Sequence, residues 1–201
     1  MKHVKGVMAI DWKDRTTGRT EKIPTYNDLT MSESVKMIAD WLRTYNQKYD
    51  IRYVIMYHAA KKNAPVLEQG LIAGSSRRKN FGMSENGYVY LATTPTMAKM
   101  FGDMAHNGNF TIYEVIVPVG KLLSDKGRLQ YSKPENISGS SLAHSLVCAG
   151  SARVKGSIEK WQIKLHEEKP SLLANLAQKN QEVKERSASR KTRGKTSEER
   201  S

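Results

Sequence analysis

At 201 residues and 38% apolar content, the chain can bury one modest core, which excludes two large domains. A formal net charge of +13, with a pI near 9.8, makes polyanions such as nucleic acid or phosphate-bearing ligands natural partners, although charge governs association and not fold. Cys148 is the only cysteine, so neither an intrachain disulfide nor a cysteine-based zinc site is available; a reducing compartment and a buried thiol are expected.

Residues 3–26 alternate weakly, with Val4, Val7 and Ala9-Ile10 ahead of the polar stretch Asp14-Arg15-Thr16-Thr17-Gly18-Arg19, which predicts a strand, a turn and a returning strand. From Thr30 the period becomes helical. Thr30-Met31-Ser32-Glu33 has capping-box spacing, and Met31, Val35, Ile38, Leu42 and Tyr45, broadened by Met37 and Trp41, give an amphipathic helix over about 31–48 that packs on a core. Residues 1–50 therefore form a hairpin-and-helix extension.

Tyr53-Val54-Ile55-Met56-Tyr57 is a continuous apolar run, the mark of a strand buried on both faces, and His58 stands at its end. Asn63 is placed to cap a short helix through Val66, Leu67 and Gln69 that Gly70 terminates. The loop 73–87 is rich in glycine and basic residues, among them Arg77, Arg78 and Lys79. Tyr88-Val89-Tyr90-Leu91-Ala92 is the next strand, and Thr94-Pro95 opens a helix with a hydroxyl cap and proline in its first turn, its buried stripe being Met97, Met100, Phe101 and Met104.

Phe110 to Val117 is a β-branched and aromatic strand closed by Pro118, and Val115-Ile116-Val117 imply a central position. Residues 120–141 read as irregular around Leu122-Leu123, followed by strand-like 142–148, 152–154 and 157–164. Several short strands against two or three helices argue an α+β fold with a split, mostly antiparallel sheet. Residues 169–201 carry nine Lys or Arg against four Glu, +5 of the total, with little to bury, so a basic and disordered tail is expected there. No apolar run reaches 18 residues, and no apolar stretch of signal-peptide length follows the basic start, so no membrane partner and a cytoplasmic location are expected. His106 and His144 lack ligand-spaced partners, and no metal site is expected.

His58, Tyr90 and Asp125 each sit at or just beyond a strand-like segment, 32 and 35 residues apart, where a sheet presents side chains to a ligand. Around them stand Val66-Leu67-Glu68-Gln69-Gly70-Leu71, Tyr88-Val89-Tyr90-Leu91, Thr94-Pro95 through Phe101-Gly102, Ile112-Tyr113-Glu114-Val115, Gly120 with Asp125 five residues on, and Arg153 through Trp161. This order, over about residues 54–162, resembles the ADP-ribosyltransferase superfamily, most closely the rifamycin (rifampin) ADP-ribosyltransferases with their His-Tyr-Asp constellation.

The resemblance implies an ADP-ribosyltransferase-like domain over 51–168, with NAD as the substrate cofactor and transfer of ADP-ribose to an acceptor. It implies that His58, with Ala59 beside it, holds the adenosine-side ribose and backbone of NAD, that Tyr90 packs on the nicotinamide, and that Asp125 steadies the oxocarbenium sugar or orients the attacking group. A neutral imidazole, an aromatic face and a carboxylate suit a transition state like that of glycoside hydrolysis. Tyr88, two residues before Tyr90 on the same strand face, is the other stacking candidate. Glutamates late in the domain serve distant members of the superfamily, which makes Glu159 and Glu114 reserve acids. Arg77 and Arg78 suit the pyrophosphate of NAD or a nucleic-acid backbone, or form a solvated loop.

The plainer roles are a packed strand tyrosine for Tyr90 and a turn or cap aspartate for Asp125. The family commonly has Gly-Thr after the histidine, where this chain has Ala59-Ala60. The alternatives are a tRNA 2′-phosphotransferase-like enzyme, which also consumes NAD, and a catalytically inactive basic nucleic-acid-binding module on the same fold. A macromolecular acceptor, protein or nucleic acid, is favoured over a small molecule by the charge and the extensions.

Overall fold

The computed structural model describes residues 20–24, 27–47, 52–74, 84–135 and 137–167. The expected first strand and turn of the N-terminal hairpin, the basic loop residues Arg77, Arg78 and Lys79, and the tail from 169 onward lie outside the described residues. In chain order the elements are β1 (Thr20–Lys22), α1 (Met31–Gln47), β2 (Tyr53–Lys61), α2 (Val66–Gln69), β3 (Tyr88–Ala92), α3 (Pro95–His106), β4 (Phe110–Pro118), α4 (Lys126–Ser132), α5 (Leu142–His144), β5 (Ser151–Lys155) and β6 (Ile163–Leu165).

Among the described residues six strands form one sheet in the order β5-β3-β2-β4-β6, with β1 also on β2. The fold is α+β with a mostly antiparallel sheet, as expected; the one parallel pairing is β1 on β2. β2 and β4 pair along nine residues, from Tyr53↔Pro118 to Lys61↔Phe110. The other edge of β2 is divided. Its first residues, Tyr53 to Ile55, take β1, and only Tyr57 pairs with β3, through Ala92.

The apolar run of β2 does what its composition requires: Val54, Ile55 and Met56 are fully buried, as are Val115 and Ile116 of β4. Each such side chain contributes about 1.5–3 kcal/mol by leaving water. On one face, Val54 and Met56 pack with Val115, Val117, Leu91 and Ala152 beneath Ile38 of α1. On the other, Ile55, Tyr57 and Ala92 meet Ala98 of α3. α1 begins with the expected capping box, Thr30 N–H and Oγ1 donating to Glu33 Oε2 at 2.9 and 2.8 Å while Glu33 N–H donates back to Thr30 Oγ1 at 3.3 Å.

Several local expectations are corrected. The apolar run 142–148 is not a strand but α5 followed by a π-helical turn over Ser145–Ala149. Ala143, Leu146 and Ala149 recur every three residues and are buried together, which only a helical winding achieves, and Ser141 caps it. Residues 120–141 contain α4, which Asp125 caps. Asn63 does not cap α2; Pro65 occupies that position. In α3 the expected Met97 and Phe101 pack partly buried against the sheet, but the fully buried positions are the small Ala98 and Gly102, and Met100 and Met104 are exposed, because the helix lies so close that a Cβ on Gly102 would come within 2.7 Å of the Phe110 ring.

Gly70 ends α2 at φ +81°, and its neighbour Leu71 exchanges backbone hydrogen bonds with Ile158 at 2.9 and 2.8 Å. A Cβ on Gly70 would collide with the Ile158 carbonyl oxygen, whereas Gly87, at φ +80°, faces open space. Gly70→Ala should therefore cost about 1–3 kcal/mol in urea denaturation and Gly87→Ala clearly less, the difference isolating the collision from the backbone strain the two share.

Candidate functional site

Past Tyr57 the ladder between β2 and β3 stops, and the two strands leave a seam between them. His58 fills it. Its Nδ1 lies 2.8 Å from the Tyr90 carbonyl oxygen, and since a carbonyl only accepts, Nδ1 carries the proton. In the neutral ring Nε2 is then a bare acceptor. Burial lowers the His58 pKa, the Tyr90 carbonyl opposes that effect, and His106 adds to the lowering, so the neutral ring is favoured.

A cleft of about 160 Å³ lies along this seam. Its lining draws on β2 (Tyr57, His58, Ala59), β3 (Tyr88, Val89, Tyr90, Ala92), α3 (Ala98, Phe101, Ala105) and the segments holding Leu71, Gly74, Ser84 and Glu85. A smaller cleft of about 50 Å³ is lined by Ser84, Tyr90, Leu91, Phe101, Asp125, Arg128 and Ser151. Ser84, Tyr90 and Phe101 belong to both. His58 and Tyr90 are thus brought together in the first cleft, and Tyr90 and Asp125 in the second.

Asp125 reaches its place through the sheet. Leu123 pairs with Arg153 on the free edge of β5, with N···O distances of 2.8 and 2.9 Å, and two residues later Asp125 meets Ser151. Ser151 Oγ donates to Asp125 Oδ2 at 2.9 Å, the Arg128 N–H donates to Oδ1 at 3.0 Å, and the Asp125 N–H donates to Ser145 Oγ at 2.8 Å. Ser145 Oγ donates in turn to the Ser151 carbonyl at 2.8 Å. The carboxylate is buried and held on both oxygens, so it is both the helix cap that its sequence context allowed and a fixed negative charge on the wall of the second cleft. Each oxygen keeps a further lone pair for a ligand.

The two tyrosines are braced by a residue that sequence reasoning placed only in a strand. Arg153, opposite Tyr90 in the β3–β5 ladder and 8% exposed, lies 4.2 Å from the Tyr88 ring centroid and pairs with Glu85 at 2.5 Å. Burial works against its charge, but Glu85 and the Tyr90 hydroxyl outweigh that and push its pKa up. The Glu85 N–H donates to Tyr90 Oη at 2.7 Å. Arg128 was missed as well. Its guanidinium stacks 4.7 Å from the centroid of Phe101. Nothing local in the sequence marks either role, since both depend on rings that lie elsewhere in the chain.

Neither reserve acid lines either of these two clefts. Glu114 lies on the β4–β6 side, bonded to His166 Nδ1 at 3.0 Å and paired with Lys164 Nζ at 2.9 Å; burial acts to raise its pKa, but the hydrogen bonds and charge interactions from those two partners hold it below the usual carboxylate range. Burial, then the Glu114 charge, pushes the Tyr57 phenol up to about 12. Glu159 is exposed and heads the 3₁₀ turn Lys160–Gln162, where its N–H donates to Gln162 Oε1 at 3.3 Å. Cys148 is half-buried, not fully buried, and its thiol pKa is raised by burial against a smaller opposing effect of Lys133. Among the described residues no group of three or more His, Cys, Asp or Glu could hold a metal ion, and no helix is long and apolar enough to cross a membrane.

Comparison with protein-family models, with curated proteins and with solved structures finds no match to this chain.

The lowered His58 pKa has a stability consequence of definite sign. Between the lowered folded value and the unfolded value of 6.5 the unfolded chain binds the extra proton, so this contribution is complete above pH 6.5 and is lost as the pH falls through the folded value. Urea denaturation at pH 7.5 and 5.5 should show the wild type losing more stability on acidification than His58→Asn, whose amide donates like Nδ1 but does not titrate.

Proposed function

We propose that this protein is an NAD-dependent mono-ADP-ribosyltransferase. The observation that carries the reading is that two adjoining clefts share Tyr90, one of them lined also by His58 and the other by Asp125. NAD would lie across the seam. His58 Nε2 accepts a ribose hydroxyl, the Tyr90 and Tyr88 rings provide an aromatic face for the nicotinamide, and the fixed Asp125 carboxylate stabilises the positive charge that develops on the ribose as the glycosidic bond breaks. Arg153 keeps both tyrosine rings in place.

The fit is partial and informative. A cleft of about 160 Å³ takes one ring with its sugar, against roughly 300–1,000 Å³ for pockets that enclose a whole drug-sized ligand. Gly74 and Ser84, the residues on either side of 75–83, both line it. The described walls therefore suit the reacting half of the dinucleotide.

The alternative is a basic nucleic-acid-binding module whose cofactor site has decayed. The favouring observation is that both Asp125 oxygens already serve as cap and serine acceptor, which a purely structural aspartate also explains. It predicts no NAD affinity and steeply salt-dependent binding to DNA or RNA.

Incubation with NAD should release nicotinamide, measured chromatographically, and NAD at 100 times its Kd should stabilise the fold by about 2.7 kcal/mol in thermal denaturation. His58→Ala and Tyr90→Ala should each lower the release on the order of 100-fold through lost positioning, while Glu159→Gln should stay within about twofold of the wild type. Absence of both nicotinamide release and NAD-induced stabilisation would leave the binding module as the reading.

A further inference from the structure

Tyr57 lines the first cleft and has no part in the reaction described above. The residue is 2% exposed, yet its hydroxyl forms no hydrogen bond among the described residues. The ring itself is held on several sides. Ile55, Ala92 and Ala98 share its apolar cluster, and the His166 ring meets it edge-on, with centroids 5.3 Å apart and planes at 81°. His166 is held in turn by Glu114, which stands opposite Tyr57 in the β2–β4 ladder. A phenol oriented by its neighbours but given no acceptor among them costs free energy until a ligand supplies one.

The chemistry of that ligand follows from what the group can offer. Burial and the Glu114 charge push the phenol up to about 12, so near neutral pH it keeps its proton and donates. His58 Nε2, in the same cleft, is a bare acceptor. The nicotinamide-riboside half of NAD complements both, since its ribose hydroxyls can donate to the imidazole and its carboxamide oxygen can accept from the phenol. Charge narrows the choice further. Glu114 is bonded to Lys164 and His166, but its charge still reaches the Tyr57 oxygen. Among the described residues that line this cleft the one charged side chain is Glu85, an anion paired with Arg153, and no lysine or arginine is there to receive a carboxylate.

We propose that Tyr57 recognises the carboxamide of the nicotinamide, its hydroxyl donating to the amide oxygen, and that the Glu114 carboxylate behind it makes the cleft select the amide over the corresponding acid; this rests on the ADP-ribosyl transfer reading. An acid in that position would place a second negative charge beside a phenol that already feels Glu114. The amide brings the same acceptor oxygen without the charge. Tyr57 thus touches the leaving group, and Glu114 acts on it only through the tyrosine and His166.

The test uses the full chain with NAD and with its acid analogue, in which a carboxylate replaces the carboxamide, and measures kcat/KM for release of the free base; ADP-ribose, which lacks the base, is titrated as a competing ligand. NAD should be preferred over the acid analogue by at least about tenfold. Tyr57→Phe removes the hydroxyl alone and should lower kcat/KM for NAD by about tenfold, the loss of one hydrogen bond, with ADP-ribose affinity held within about twofold. Glu114→Gln should narrow the preference for NAD over the acid analogue, a ratio that a merely structural glutamate would leave unmoved. Equal use of the two dinucleotides, an unchanged ratio in Glu114→Gln, or a loss of ADP-ribose affinity in Tyr57→Phe as large as the loss in kcat/KM would overturn the proposal. Nicotinamide release that Tyr57→Phe leaves unchanged overturns the role of Tyr57 alone, whereas no release from NAD by the wild type overturns the transfer reading together with it.

Discussion

One hydrogen bond bridges the seam on which the candidate site depends. Where β2 and β3 part after Tyr57↔Ala92, backbone groups lose their ladder partners, and a buried unpaired carbonyl costs about 1–3 kcal/mol. The His58 imidazole supplies the missing donor to the Tyr90 carbonyl, so a side chain stands where a ladder N–H would otherwise be. That hydrogen bond fixes the tautomer. It also explains why the first cleft draws walls from both sheet faces, with Val89 beside Tyr90 and His58 beside Tyr57. Closing the seam into a regular ladder would remove the cleft.

The second wall is rigid for a different reason. Residues 125, 145 and 151 meet in a knot of three hydroxyl and carboxyl side chains, in which Ser145 is fully buried and bonded at both ends. The π-helical turn Ser145–Ala149 carries that serine inward, and Gly150, at φ +60°, turns the chain into β5 so that Ser151 follows. A carboxylate held this way has paid its reorganisation in folding, and its field is available to a developing positive charge without further movement.

The elements that were legible in the sequence are those whose pattern is set by burial within a single segment. The unbroken apolar run of β2, the two alternating tyrosines of β3, the capping box of α1 and the Thr94-Pro95 start of α3 each state their structure locally, and each is observed. Residues 142–148 misled because small and branched residues at spacing three look like a short apolar strand when the partners that bury them, on α1 and β5, are not yet known. The stripe of α3 is right at Met97 and Phe101 and wrong at Met100 and Met104 for a related reason: close approach to the sheet favours Ala98 and Gly102 at its centre, and closeness is a tertiary quantity. Of the site, His58 and Tyr90 could be read because a strand end displays them. Arg153 and Arg128 could not, since their significance lies in the rings of Tyr88 and Phe101 across the fold.

These two arginines show how a shared residue type divides its labour by its neighbours. Arg153 is paired with Glu85, so its charge is already answered within the protein, and its net effect is mechanical: it fixes two phenol rings and one loop end against the sheet. Arg128 lies on an aromatic face, which attracts a cation by only about 0.5–2 kcal/mol and neutralises none of its charge. The same asymmetry separates Asp125 from Glu114, two buried carboxylates of which the first is held by a backbone N–H and a serine hydroxyl, while the second is bonded to Lys164 and His166. Arg128 and Asp125 thus line the second cleft together, and neither forms an ion pair with another described residue.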